Sequence, residues 1–437
     1  MNLDRKAIDH WIESLRHSPE AQVTVPADKG ALSQFPNDAT WHLGIYFTAF
    51  FFIPDDNARN RLISEIPRLF DEFHELTQGA MTHEQHPSTG KVLARGSKGL
   101  PSIGERFEAE RDDVATITAF NEVTKESSAS FHMDAACSFK AESRPGGPIA
   151  KFSYFKIGVP LRFWRQHRSA LINWWGDALA VLQPSQAYSG LAFSTPPILE
   201  RYPFFEPTEY ALCQAFYGLD VDKPFFMRGS PYCEHKMHLE LGTRTPTFGT
   251  LLRGKCLDQL GGEAAIRQAL ADDPQFHLTP CAGGLWIEAG DEPALFPVDQ
   301  GIPRHYAKLA RLMKPTRLES LWLISYLPPL PRDDCFNAKT SARWLKRFDD
   351  DGDWPSPEVR FWRPDNGSAS PTPSTGRALP GEPAPRTGWW RALALDGAAS
   401  RVYRLAGQAF PGPEASPRGR VVWQFDAVQE GPPPDQA

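Results

Sequence analysis

KFSYFKIGVPLRFWRQHRSALINWWGDALAVLQPSQAYSGLAFS, residues 151 to 194, reads as a strand, a long helix and a second strand. The two flanking runs are rich in aromatic and β-branched residues, the composition of buried strands. Between them Leu171, Trp175, Ala178, Leu179 and Leu182 recur at helical spacing, which predicts a helix over Leu161–Leu182 with one apolar face. A strand, helix and strand in this order place the helix across a sheet.

The same order occurs upstream. HLGIYFTAFFFI, residues 42 to 53, is a second buried-strand run, and Pro54 and Asp55 end it. From Asn57 to Gln78 the residues Leu62, Ile66, Leu69, Phe73 and Leu76 repeat at steps of four and three, so a helix follows, with Pro67 expected to kink it or start a second segment. Two strand–helix units suggest two similar halves, although no residue-level repeat accompanies them. Asn2–Arg16 reads as a short amphipathic helix, residues 81–104 as loop, and Val114–Asn121 and Ala129–Phe139 as further strands.

Downstream, helices are expected at Ile198–Tyr217, Phe248–Leu260, Glu263–Ala271 and Ile302–Met313. Phe276–Cys281 and Gly284–Ala289 read as a hairpin turning at Ala282 and Gly283, and Leu318–Leu327 as a strand. The expected fold class is α+β, with antiparallel-rich sheets backed by amphipathic helices. From Pro364 to Pro385 six prolines fall in 22 residues, which reads as an extended linker. The short runs GWWRALAL, RVYRLAGQAF and GRVVWQFDAV then suggest a small β-meander. The expected boundaries are therefore an N-terminal helix and polar segment (1–40), a core (41–354), a linker (355–387), a β module (388–430) and a tail (431–437).

The 437 residues suffice for more than one core, and 41% hydrophobic with 23% charged residues is a globular balance. A net charge of −6 gives no basic footprint for nucleic acid. The start, MNLDRKAIDHWIESLRHS, lacks the pattern of a secretory signal, and the most apolar run, Phe47–Ile53, is far short of a membrane helix. A soluble, cytoplasmic protein is expected. Six scattered cysteines without a CxxC pair suggest neither a disulfide framework nor a zinc ribbon.

Candidate chemistry is sparse. Cys233, His235 and His238, in YCEHKMH, carry zinc-ligand groups but lack a fourth donor, and their spacing is not that of a finger. A metal-dependent hydrolase built on them is one reading. His83 and His86 lie three apart beside Pro87, where a helix is not expected, and HExxH is absent. His132 and Asp134 share one face of a strand without a GxSxG nucleophile to complete a triad. GSKGLPSIG, residues 96–104, has glycines and a lysine but not the phosphate-loop order. Catalytic residues, cofactor and metal are accordingly all expected to be none, and the protein is read as a binding protein rather than an enzyme. The densest charge lies in RFDDDGDW, where Asp349, Asp350, Asp351 and Asp353 follow Asp333 and Asp334. Either they form a solvated loop or they engage basic residues of a protein partner.

Between Ala187 and Pro315 the chain is dense in glycine-punctuated motifs: AYSGLAF, YGLDV, LGTRTPTFGTLL, LDQLGG, GGLWIEAGDEP and IPRHYAKLARLMKP, with RWLKRFDD beyond them. In this order, together with HLGIYF, they resemble the bacterial type VI immunity family of the TsiV type, over roughly residues 40 to 350. The resemblance implies a cytoplasmic antitoxin that binds a cognate type VI effector, commonly a nuclease, and blocks its active site. It transfers no contact residue. An adaptor that loads an effector onto the secretion apparatus is the remaining alternative.

Overall fold

The computed structural model describes residues 5–25, 39–121, 127–139, 142–144, 147–149, 153–194, 202–224, 242–319, 321, 323, 335–355, 377–384, 388–392, 401–404, 407–411, 415–416, 419–420 and 423–425. It divides the chain into two compact units, Met1–Trp362 and Arg363–Ala437.

At the centre of the first unit lies β3 (Leu43–Phe51), preceded by α1 (Arg5–His17), β1 (Val23–Val25) and β2 (Ala39–Trp41). Every residue of β3 is buried, as its near-continuous apolar sequence requires. The chain continues through α2 (Asp56–Leu76), β4 (His83–Gln85), β5 (Val92–Ala94), α3 (Ile103–Ala109), β6 (Val114–Phe120), β7 (His132–Ser138), β8 (Glu142–Arg144), β9 (Gly147–Ile149), β10 (Ser153–Val159), α4 (Leu161–Leu182) and β11 (Gln186–Phe193). Then come α5 (Tyr202–Ala215), β12 (Leu219–Asp220), β13 (Gly249–Arg253), α6 (Gly254–Gln259), α7 (Gly262–Leu270), β14 (Phe276–Cys281), β15 (Gly284–Ala289), α8 (Arg304–Met313) and α9 (Ala338–Leu345). The fold is α+β.

Eleven strands form one sheet in the order β14-β15-β13-β11-β3-β10-β7-β6-β4-β5, with β12 added to β11. All its pairings are antiparallel except β11 with β12. Both β10 and β11 flank β3 antiparallel, so they run parallel to each other and α4 is the crossover that joins them. The opening stretch thus builds the middle of the sheet. Phe47 of β3 packs against Trp164 and Trp175 of α4 at ring distances of 5.6 and 5.4 Å, and α2 lies beside α4. Asp55 caps α2 by accepting from the Ala58 N–H at 2.8 Å.

Two units do start alike, β3 with α2 and β10 with α4, but their paths then diverge. After α2 the chain reaches the far edge at β4–β5 and works inward to β7; after α4 it enters beside β3 at β11, continues to β13, and reaches the opposite edge at β14 before β15 fills the place between them. The likeness ends at strand plus helix.

Four local expectations differ from the structure. The stretch 81–104 contains the β4–β5 hairpin, closed by His86 and Lys91 through a 2.8 Å backbone bond; its three-residue strands are too short and polar to show a period. Phe248–Leu260 is a strand followed by a short helix, because Gly249 admits the Trp286 ring, which leaves no room for a Cβ, and Thr250–Leu252 bury into the sheet. Pro67 neither ends nor splits α2, whereas α4 carries a kink at His167. In Leu318–Leu327, the described residues 318, 319, 321 and 323 are outside any strand, and the remainder lies outside the described residues.

The second unit holds a four-stranded sheet ordered β16 (Arg377–Ala378), β21 (Trp423–Phe425), β17 (Gly388–Arg391) and β18 (Arg401–Arg404), with a small β19 (Ala415–Ser416) and β20 (Gly419–Arg420) pair. Trp390, Phe410 and Trp423 form its core. One strand of this sheet, β16, falls inside the stretch read from its prolines as linker.

Candidate functional site

The central sheet has two different faces. Period-two alternation turns Ile45, Phe47 and Ala49 toward the helix carrying Trp164 and Trp175, and turns Tyr46, Thr48 and Phe50 to the opposite side. Register carries this across neighbouring strands, so that Lys156 of β10 and Tyr188 of β11 flank Thr48.

On that second face the described residues assemble a buried charge network. Asp220 accepts from Tyr46 Oη at 3.1 Å and from the Arg347 guanidinium, with Arg244 at 3.8 Å. Asp222 accepts from Thr48 Oγ1 at 2.7 Å and pairs with Lys156 Nζ at 3.0 Å. Lys223 meets Glu209 at 3.0 Å. Arg347 also donates from Nε to the Tyr217 carbonyl at 2.9 Å and stacks over Trp344 at 3.9 Å. None of these charged groups exceeds 2% exposure. Burial pushes the Asp220 carboxyl up against the pull of Arg347 and Arg244, and pushes Arg347 down. It also drives Glu209 up and Lys223 down, the direction in which the pair would share one proton.

The glycine-punctuated motifs meet here. Tyr188 and Gly190 come from AYSGLAF, Asp220 from YGLDV, Arg244 from LGTRTPTFGTLL and Arg347 from RWLKRFDD. Gly190 is required because a Cβ would overlap Asp220 Oδ2, and Gly218 because a Cβ would overlap the Ala294 carbonyl. The network holds distant segments in one arrangement: Tyr46 and Asp220 are 174 residues apart. Its chemistry is that of a structural keystone closed to solvent.

The acidic run does not act as one surface. Asp349 is buried, 5% exposed, and accepts both arms of the Arg317 guanidinium at 2.6 and 2.5 Å, so this residue is withdrawn from the expected partner contact. Asp350, Asp351 and Asp353 point outward, each with a cation nearby: Arg311 at 3.8 Å, Lys314 at 3.6 Å and Arg343 at 3.2 Å. Asp333 and Asp334, and the cluster Cys233, His235 and His238, lie outside the described residues. Among the described residues no group of three or more His, Cys, Asp or Glu side chains is arranged to hold a metal.

His83 and His86 are not brought together as ligands: His83 Nδ1 bonds Thr82 Oγ1 at 2.9 Å, and His86 Nδ1 accepts from the Ser88 N–H at 3.2 Å. Asp134 accepts from Tyr154 Oη at 3.0 Å rather than from His132. Both ring nitrogens of His132 are buried with no hydrogen-bond partner among the described residues, and the ring packs on Gly158. Burial, reinforced by Lys156, holds its pKa well below the usual imidazole value. In the unfolded chain this histidine takes a proton near pH 6.5; in the folded chain it does not. Its contribution to stability is therefore complete above pH 6.5 and falls as the pH drops below it, by about 1.4 kcal/mol per unit. Thermal unfolding between pH 7.5 and 5.5 should show a shallower loss for His132→Leu than for the wild type; identical slopes would contradict this.

Residues 65–348, more than half of the chain, match the family model described as TsiV, type VI immunity for VRR-NUC. The chain belongs to the TsiV family. The matched span includes every charged member of the network. Among solved structures, this TsiV member is similar in fold to the Pseudomonas aeruginosa T6SS protein PA0821, with a TM-score of 0.61 at 21% identity, covering 78% of this chain and 91% of that one. No curated protein matches. No helix among the described residues is long and apolar enough to cross a membrane.

Proposed function

We propose that this protein is the antitoxin of a VRR-NUC-type effector, acting in the cytoplasm by binding the toxin stoichiometrically and occluding its active site. The observation that carries the reading is the family match over residues 65–348. The charge balance supports it, because a nuclease groove must be basic to hold a phosphate backbone, and an acidic protein is complementary to it. The protein acts without turnover, through affinity rather than chemistry. Asp350, Asp351 and Asp353 are retained as outward carboxylates of this surface charge, weakened by their neighbouring cations.

Co-expression tests the proposal. Cells producing a cognate VRR-NUC-type effector should regain full plating efficiency when they also produce this protein. Binding without rescue would instead assign the role of an effector-loading adaptor.

A further inference from the structure

We propose that the groove between α2 and α4 anchors a basic segment of the effector, taking an arginine or lysine side chain across its floor. This rests on the antitoxin reading. The groove is shallow and open to solvent, with a volume of about 490 Å³, and is lined by Arg68, Glu72, Trp174, Asp177, Ala180 and Val181. That volume holds more than one side chain and so fits a segment.

Its floor is apolar and rigid. Trp174 is 7% exposed and is held by Phe73 at 5.0 Å and Phe155 at 6.2 Å. A preorganised surface loses little freedom on binding. Val181 and Ala180 extend the floor for the alkyl stem of a long basic side chain.

Its rim is acidic in excess. Arg68 donates to Glu65 from Nε at 2.8 Å and from Nη2 at 2.7 Å, and pairs with Glu72 through Nη1. The one guanidinium lining the groove is thereby matched twice. Asp177 is exposed and has no ion-pair partner among the described residues. Two carboxylates and one guanidinium therefore line the groove, and because Glu72 is paired with Arg68, an incoming guanidinium or ammonium pairs with Asp177. The loop of Asp350, Asp351 and Asp353 differs in both respects. Each of those carboxylates already faces its own cation.

Surface plasmon resonance with the purified cognate VRR-NUC-type effector separates the possibilities. Asp177→Lys, alone and combined with Glu72→Gln, should raise the off-rate by about tenfold or more while the melting temperature stays at the wild-type value. Asp350→Asn, Asp351→Asn and Asp353→Asn together should change either rate by less than about threefold. An off-rate within twofold of wild type for the groove variants overturns the proposal, as does a large loss confined to the loop variant. If the wild-type protein fails to bind the effector, it is the antitoxin reading itself that falls.

Discussion

Replacing Arg347 with alanine is expected to destabilise the first unit by about 3–5 kcal/mol, the cost of removing one partner from a buried ion pair. The loss has three parts: Asp220 is left as a buried carboxylate without its guanidinium, the Tyr217 carbonyl loses its 2.9 Å donor, and Trp344 loses the cation stacked on it. Arg347→Lys should lose less, because an ammonium keeps the charge for Asp220 but cannot serve Tyr217 in the same fixed geometry. Urea unfolding followed by tryptophan fluorescence measures both. Equal, small losses would show that the network is not the keystone described above.

Trp175→Ala is the second large effect, with a loss of about 3–5 kcal/mol expected for emptying a fully buried tryptophan site. Trp175 is 1% exposed, and it touches Phe47 of the central strand and Trp286 of β15 at ring distances of 5.4 and 6.4 Å. Its removal opens a cavity where helix and sheet meet, and β3 and β15 are too firmly paired on both sides to close it. The same urea titration checks this. A loss under about 1.5 kcal/mol, the range of a tolerated repacking, would place the core elsewhere.

The elements that the sequence made legible are those whose own residues contain the signal. Leu161–Leu182 shows its apolar stripe from Leu171 to Leu182, about three turns, and its helix has the expected bounds. The 276–289 hairpin turns at Ala282 and Gly283, which both adopt positive φ, 49° and 72°, as a tight two-residue connection needs. The β4–β5 hairpin carries no such signal, since it is held by its place at the sheet edge. At Gly249–Arg253 the apolar spacing fits helix or strand, and the tertiary partner Trp286 decides between them.

The candidate site was legible only in outline. Asp349 and Asp350 are neighbours of one composition, yet Arg317, 32 residues upstream, draws the first into the interior and leaves the second in water. A lysine within the apolar run KFSYFKIGV was a local sign of a buried partner. That the partner would be Asp222, 66 residues away, could not be read from spacing. Gly190 and Gly218 in the glycine motifs allow the close packing at the network, and the charges these motifs bring together became visible only once the sheet had closed.

An antitoxin that silences a nuclease by occupying it must do so stoichiometrically. The test is to titrate the purified protein into a DNA-cleavage reaction of the purified cognate VRR-NUC-type effector. Cleavage should fall in proportion to added protein and vanish at molar equivalence; cleavage that continues undiminished in excess protein would rule out inhibition by occupancy.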